Sequence, residues 1–116
     1  MQEENRSLAS MQEEVDAYIQ QFKTGYFSPL ALLARITEEV GELAREVNHS
    51  YGEKKKKADE APNSVAEELG DVFIMSIIMA NALDIDLTEA FEKNRDKFNR
   101  RDQFRFERKD GRTKEE

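Results

Sequence analysis

Two matched stretches of this chain carry its chemistry. Ile36-Thr37-Glu38-Glu39-Val40-Gly41-Glu42-Leu43 places three carboxylates in an amphipathic helical pattern. Val65-Ala66-Glu67-Glu68-Leu69-Gly70-Asp71-Val72 repeats the order acid-acid-aliphatic-Gly-acid-aliphatic. With roughly 100° per helical residue, the angular place of each acid follows. If Ile36, Val40, Leu43 and Val47 centre the apolar stripe, Glu39 falls about 80° to one side and Glu42 about 140° on that side, while Glu38 points almost directly away. With Val65, Leu69, Val72 and Ser76 as the centre of the second stripe, Glu68 and Asp71 take the same two angles. Antiparallel packing of the two helices would turn Glu39, Glu42, Glu68 and Asp71 towards one cleft.

Such a cluster repels itself: at an effective dielectric near 20, a like-charge pair about 4 Å apart costs roughly 4 kcal/mol. It becomes tolerable when a divalent cation neutralises it or when some acids keep their protons. Hard oxygen donors without His or Cys select Mg²⁺ or Mn²⁺ over zinc, and Mg²⁺ held by carboxylates keeps positions that triphosphate oxygens can take. One Glu-Glu-x-x-Glu alone would read as a solvated helix face. The second acid set in matched register argues otherwise, as does its flank, which turns apolar further on at Met75, Ile78 and Ala82.

Asn94, Lys97 and Arg101 form a second constellation. Spaced three and four apart, they share one face of a helix within about 60°. An amide and two cations there could hold phosphate oxygens across from the metals; a basic solvated face fits the spacing equally well.

The elements that must position these groups are helices. Leu8, Met11, Val15, Tyr18, Ile19 and Phe22 predict a first helix over about 8–22, stopping near Gly25. Ser28-Pro29 opens a second, to about His49, with Gly52 as terminator and Leu33, Ile36, Val40, Leu43 and Val47 as core seam. Residues 52–63 read as a loop whose Lys54–Lys57 run is either solvated or a phosphate clamp. Ser64-Val65-Ala66-Glu67 starts a third helix as a capping box, reaching about Leu83. Its second half is apolar nearly all round, so it should pack against a second subunit as well. Asp86-Leu87-Thr88-Glu89 starts a fourth, to Arg101 or beyond. Tyr26, Phe27 and Tyr51 are candidate nucleobase contacts, although aromatics in such places more often pack over helix ends.

Composition bounds the rest. The length of 116 residues fits one domain, and few Gly and Pro (5 and 2) favour long helices, so the expected fold class is an all-α four-helix bundle. Residues 1–106 should form the domain and 107–116 a charged, disordered tail. Without Cys there is no thiolate chemistry, which fits the cytoplasm. The acidic start has no apolar segment of a secretory signal, and no apolar run is long enough for a bilayer, so no membrane partner is expected. Net charge is -7, divided as -10 over residues 1–90 and +3 over 91–116. An acidic body argues against nucleic acid as partner.

The two octets and Asn94-Arg95-Asp96-Lys97-Phe98-Asn99-Arg100-Arg101 together resemble the Glu-Glu-x-x-Glu, Glu-x-x-Asp and Asn-x-Lys-Phe-x-x-Arg segments of MazG-like nucleotide pyrophosphohydrolases. The resemblance implies an all-α NTP pyrophosphatase fold, as homodimer or homotetramer. It further implies Mg²⁺-dependent hydrolysis of a nucleoside triphosphate to monophosphate and pyrophosphate, the NTP or dNTP being standard, non-standard or damaged. Glu39, Glu42, Glu68 and Asp71 match the metal ligands. Glu38 would be a further ligand, a support behind the ligands or a base, and Asn94, Lys97 and Arg101 the phosphate side. As general base, Glu38 and Glu39 are both candidates. Two rivals stand beside this reading: a phosphoribosyl-ATP pyrophosphatase-like enzyme and a non-catalytic helical interaction module. A di-iron bundle is rejected, because Arg45 and Asp71 stand where its histidines would be.

Overall fold

The computed structural model describes residues 5–52 and 64–115. It contains α1 (Leu8–Gln20), α2 (Pro29–Tyr51), α3 (Val65–Ala82) and α4 (Leu87–Asp102), and no strand among the described residues. The expected all-α architecture is therefore the observed one. The Lys54–Lys57 run and its phosphate-clamp reading lie outside the described residues.

Each helix starts where a side chain can satisfy its first unpaired amides. Ser7 and Ser10 cap α1 reciprocally, each hydroxyl accepting from the other's backbone N–H at 3.0 Å. Ser28 Oγ accepts from Ala31 N–H at 3.2 Å, with Pro29 at the first helical position. Ser64 Oγ accepts from Glu67 N–H at 3.0 Å, and Asp86 Oδ1 from the amides of Thr88 and Glu89 at 2.9 and 3.2 Å. α1 stops two residues before Phe22, and the chain turns at Gly25, whose φ of +64° lies in the left-handed region open to glycine. α2 continues two residues past His49 to Gly52.

α2 packs along α3, α1 lies against α3, and α4 touches the body through α1. A polar clasp fixes the last contact. Gln12 Nε2 donates to Asn81 Oδ1 at 2.9 Å and to Ile85 O at 2.8 Å, and Gln12 Oε1 accepts from Leu87 N–H at 2.9 Å. One α1 side chain thus holds the α3–α4 turn and the start of α4.

The expected seam of α2 needs correction. Leu33, Val40 and Val47 are exposed, at 52%, 47% and 41%. Leu32 and Glu46 are buried instead, with Ile36, Glu39 and Leu43 half-buried. On the helical wheel this turns the packed face about 60° towards Glu39. On α3 the expected stripe is half-buried at Val65, Val72 and Ser76, but Glu68 on its flank is buried while its neighbour Leu69 is 56% exposed. The reason is that each apolar stripe is wider than one helix can cover, so one edge packs inside the chain and the other stays open. Phe73 and Ile74 add to the open apolar surface. The radius of gyration, 18.8 Å, exceeds the roughly 13 Å of a compact chain of this length.

The deep core consists of Leu32, Ile77 and Ala80. Ile77→Ala should lower unfolding free energy by about 2–5 kcal/mol, whereas Leu30→Ala, at a position 80% exposed, should change it by less than about 0.5 kcal/mol. Equilibrium urea unfolding of both variants tests this; similar losses would contradict the core assignment.

Candidate active site

The turned helices bring the octets face to face. Carboxylate oxygens of Glu39, Glu42 and Glu68 lie within 4.8 Å of one another. Glu68 is 3% exposed, the Glu39 side chain 13%, and Glu42 is exposed, so the cluster runs from the α2–α3 seam out to its rim. Asp71 is not among the three, but its negative charge acts on both Glu39 and Glu68. The geometry draws together Glu39, Glu42 and Glu68, three of the four acids whose angles converge in the sequence. Glu38 is exposed, about 100° round the helix from Glu39 and outside the cluster.

Electrostatics follow from this placement. Burial, then the charges of Glu42 and Asp71, push the Glu39 carboxyl above the usual range, against a smaller pull from Arg35. Burial pushes Glu68 up as well, followed by the charge and hydrogen bond of Glu42 and the charges of Asp71 and Glu39. Oε2 of Glu39 and Oε2 of Glu68 are buried without a hydrogen-bond partner. Buried polar atoms are normally satisfied, so two orphaned carboxylate oxygens in one cluster are what a cation site presents in the protein alone. An all-oxygen donor set fits a hard divalent ion.

The α4 groups are positioned differently. Asn94, Lys97 and Arg101 are all exposed on α4, which is held through α1 rather than by the α2–α3 seam. Asn94 Nδ2 donates to Ala90 O at 2.8 Å. Lys97 Nζ and the Arg101 guanidinium lie 5.6 and 5.0 Å from the centre of the Phe98 ring, and Arg101 forks onto Asp102 at 3.0–3.2 Å. Of the aromatics, Tyr26 is committed inward, its hydroxyl donating to Asp16 Oδ1 at 2.5 Å. Phe27 and Tyr51 are exposed, at 54% and 81%.

Two residues were missed in the sequence reading. Glu46, 3% exposed, continues the line of Glu39 and Glu42 at helical spacing. Arg35, one turn before Glu39, places its guanidinium 3.7 Å from the Glu39 carboxylate. The signal for both is spacing from Glu39, which an apolar stripe centred on Ile36, Val40, Leu43 and Val47 places at its border.

An all-α fold with an all-oxygen acidic cluster between α2 and α3 goes with an all-α hydrolase class, which the comparisons with known proteins bear out. More particularly, it belongs to the MazG nucleotide pyrophosphohydrolase domain family, which matches residues 27–106. YpjD of Bacillus subtilis (strain 168), a protein itself uncharacterized, is 57% identical over 106 residues, covering 91% of this chain and 96% of YpjD. The crystal structure of B. subtilis YpjD superposes with a TM-score of 0.75 at 57% identity, covering 84% of this chain and 99% of that one. The crystal structure of the Bacillus-conserved MazG protein, a nucleotide pyrophosphohydrolase, gives a TM-score of 0.72 at 57% identity, with 84% and 94% covered. No described helix is long and apolar enough to cross a membrane.

The raised carboxyls make a prediction about pH. Protonated Glu39 and Glu68 suit the folded state better than the unfolded one. Their contribution is therefore complete below the ordinary glutamate value and is lost as pH rises through their raised folded values. In chelator, unfolding free energy should accordingly fall as pH rises above the ordinary glutamate range, and Glu68→Gln should flatten the slope. Urea titrations over that rise in pH test it; an unaltered slope in the variant would contradict the assignment.

Proposed function

We propose that the protein is a Mg²⁺-dependent nucleoside triphosphate pyrophosphohydrolase, with Mn²⁺ as a substitute, that releases the monophosphate and pyrophosphate. The observation that carries this is the convergence of Glu39, Glu42 and Glu68, two of which keep a buried carboxylate oxygen without a hydrogen-bond partner. Those four acids would hold the metal. Bound there, a divalent cation supplies positive charge for the triphosphate and acidifies water.

The chain's own groups do the rest. Water attacks the α-phosphorus, the bond between the α-phosphorus and the α–β bridging oxygen breaks, and pyrophosphate leaves with that oxygen. The attacking water gives up a proton, and a carboxylate within reach must accept it. Glu39 is favoured over Glu38, because its Oε2 is unpartnered inside the cluster whereas Glu38 faces outward. Asn94, Lys97 and Arg101 are assigned to the phosphates, a role their cationic, exposed face on α4 supports. The substrate is a standard, non-standard or damaged NTP or dNTP, and the proposed compartment is the cytoplasm.

A pyrophosphate-release screen across normal, deoxy and damaged nucleotides and phosphoribosyl-ATP, with Mg²⁺ and Mn²⁺, tests the reading. Glu42→Gln and Asp71→Asn should each reduce turnover at least about 10³-fold while leaving the fold intact. Near-normal activity in either, or silence of the unmodified protein on every substrate, would overturn it.

We also propose a homodimer or homotetramer. Leu33, Val40 and Val47 on α2, with Leu69 and Phe73 on α3, form exposed apolar edges on the sides of their helices away from the acids. Surfaces of this kind are normally covered. Val40→Asp should shift the sedimentation profile towards monomer; a monomeric unmodified protein would refute the assembly.

A further inference from the structure

Among the described residues, Arg35 of α2 forms an ion pair with the acidic seam, and its position gives it a task. Arg35 precedes Glu39 by four residues and Glu42 by seven, so all three stand on one edge of α2. Its guanidinium lies 3.7 Å from Oε1 of Glu39, the carboxylate half-sunk in the seam, while the Arg35 side chain itself is 51% exposed. The remaining Glu39 oxygen points into the cluster unpartnered. Glu39 is thus shared between two cationic positions, a guanidinium on the solvent side and the cluster on the inner side.

We infer that Arg35 is a stand-in cation, which neutralises Glu39 in the metal-free protein and gives up that carboxylate when a divalent ion is bound by Glu39, Glu42 and Glu68. The inference rests on the metal-site reading proposed above. A guanidinium cannot replace the ion, because its planar fork takes one carboxylate edge and leaves the inner oxygens of Glu39 and Glu68 unserved. It can compete with the ion, since a positive charge beside Glu39 weakens the field the ion would feel. The exposed half of the pair lets Arg35 swing into water at little cost, as surface ion pairs are weak. The structure therefore holds metal affinity below what the carboxylates alone would give, and Arg35 is a positioning residue rather than a catalytic one.

The test is Mn²⁺ binding alone, by calorimetry at pH 8 and low salt, on the full chain without nucleotide. Arg35→Gln should bind Mn²⁺ about three- to ten-fold more tightly than the unmodified protein. Arg35→Lys, which keeps the charge, should restore the original affinity, and the gap should narrow in 0.5 M salt, roughly, where exposed charges are screened. In chelator, Arg35→Gln should melt lower, and Mn²⁺ should raise its melting temperature by more than it raises the original's. A purely structural role would give the lower melting point without tighter binding, and that result, or weaker binding, overturns the inference while leaving the metal site standing. Absence of Mn²⁺ binding in all three proteins removes both readings together.

Discussion

Burying Glu68 beside Glu39 and Glu42 is unfavourable twice, once through lost hydration and once through repulsion. Hydrogen bonding with Glu42 relieves this only in part, since Glu39 and Glu68 each keep one buried oxygen without a partner. The remaining relief is protonation, the nearby guanidinium of Arg35, or a cation. Everything else in the chain can be understood as holding that unfavourable seam closed. Caps at Ser28 and Ser64 set where α2 and α3 begin, hence the depth at which their octets meet. Leu32, Ile77 and Ala80 supply the apolar burial that keeps the helices together.

The cost of the seam also explains the open apolar surface. α2 and α3 turn their acid-bearing edges inward, so Val40 and Leu69, which follow the second acid of each octet, are carried outward. A chain that spends its helix–helix interface on carboxylates has less of it for aliphatic packing. The deep core is correspondingly small, and the molecule is extended for its length. α4 stands further off, fastened through Gln12 to α1 and the α3–α4 turn, with its basic groups displayed to solvent.

Helices and their starts were legible because they are local matters. Ser28-Pro29, Ser64 to Glu67 and Asp86 to Glu89 satisfy their own first amides, and no distant residue is needed to decide it. The four acids could also be singled out, since two octets in one register fix which side chains share a flank. Glu46 and Arg35 escaped notice because their meaning depends on which edge of α2 is packed. An amphipathic stripe shows that a face is apolar without showing how much of it the chain itself covers.

By itself, the sequence determined the all-α class, the positions of the helices and the identity of the acids that could share a site, for helical spacing and capping are encoded within a few residues. The tertiary structure alone decided that the packed face of α2 lies about 60° towards its second acid, leaving Val40 exposed, and that on α3 Glu68 is buried while Leu69 is exposed. It alone decided that Glu39 pairs with Arg35, and that α4 is held by α1. The reason is that rotation about a helix axis changes no local interaction. It is fixed only by what the facing helix offers, and pattern along one strand of sequence contains no term for that.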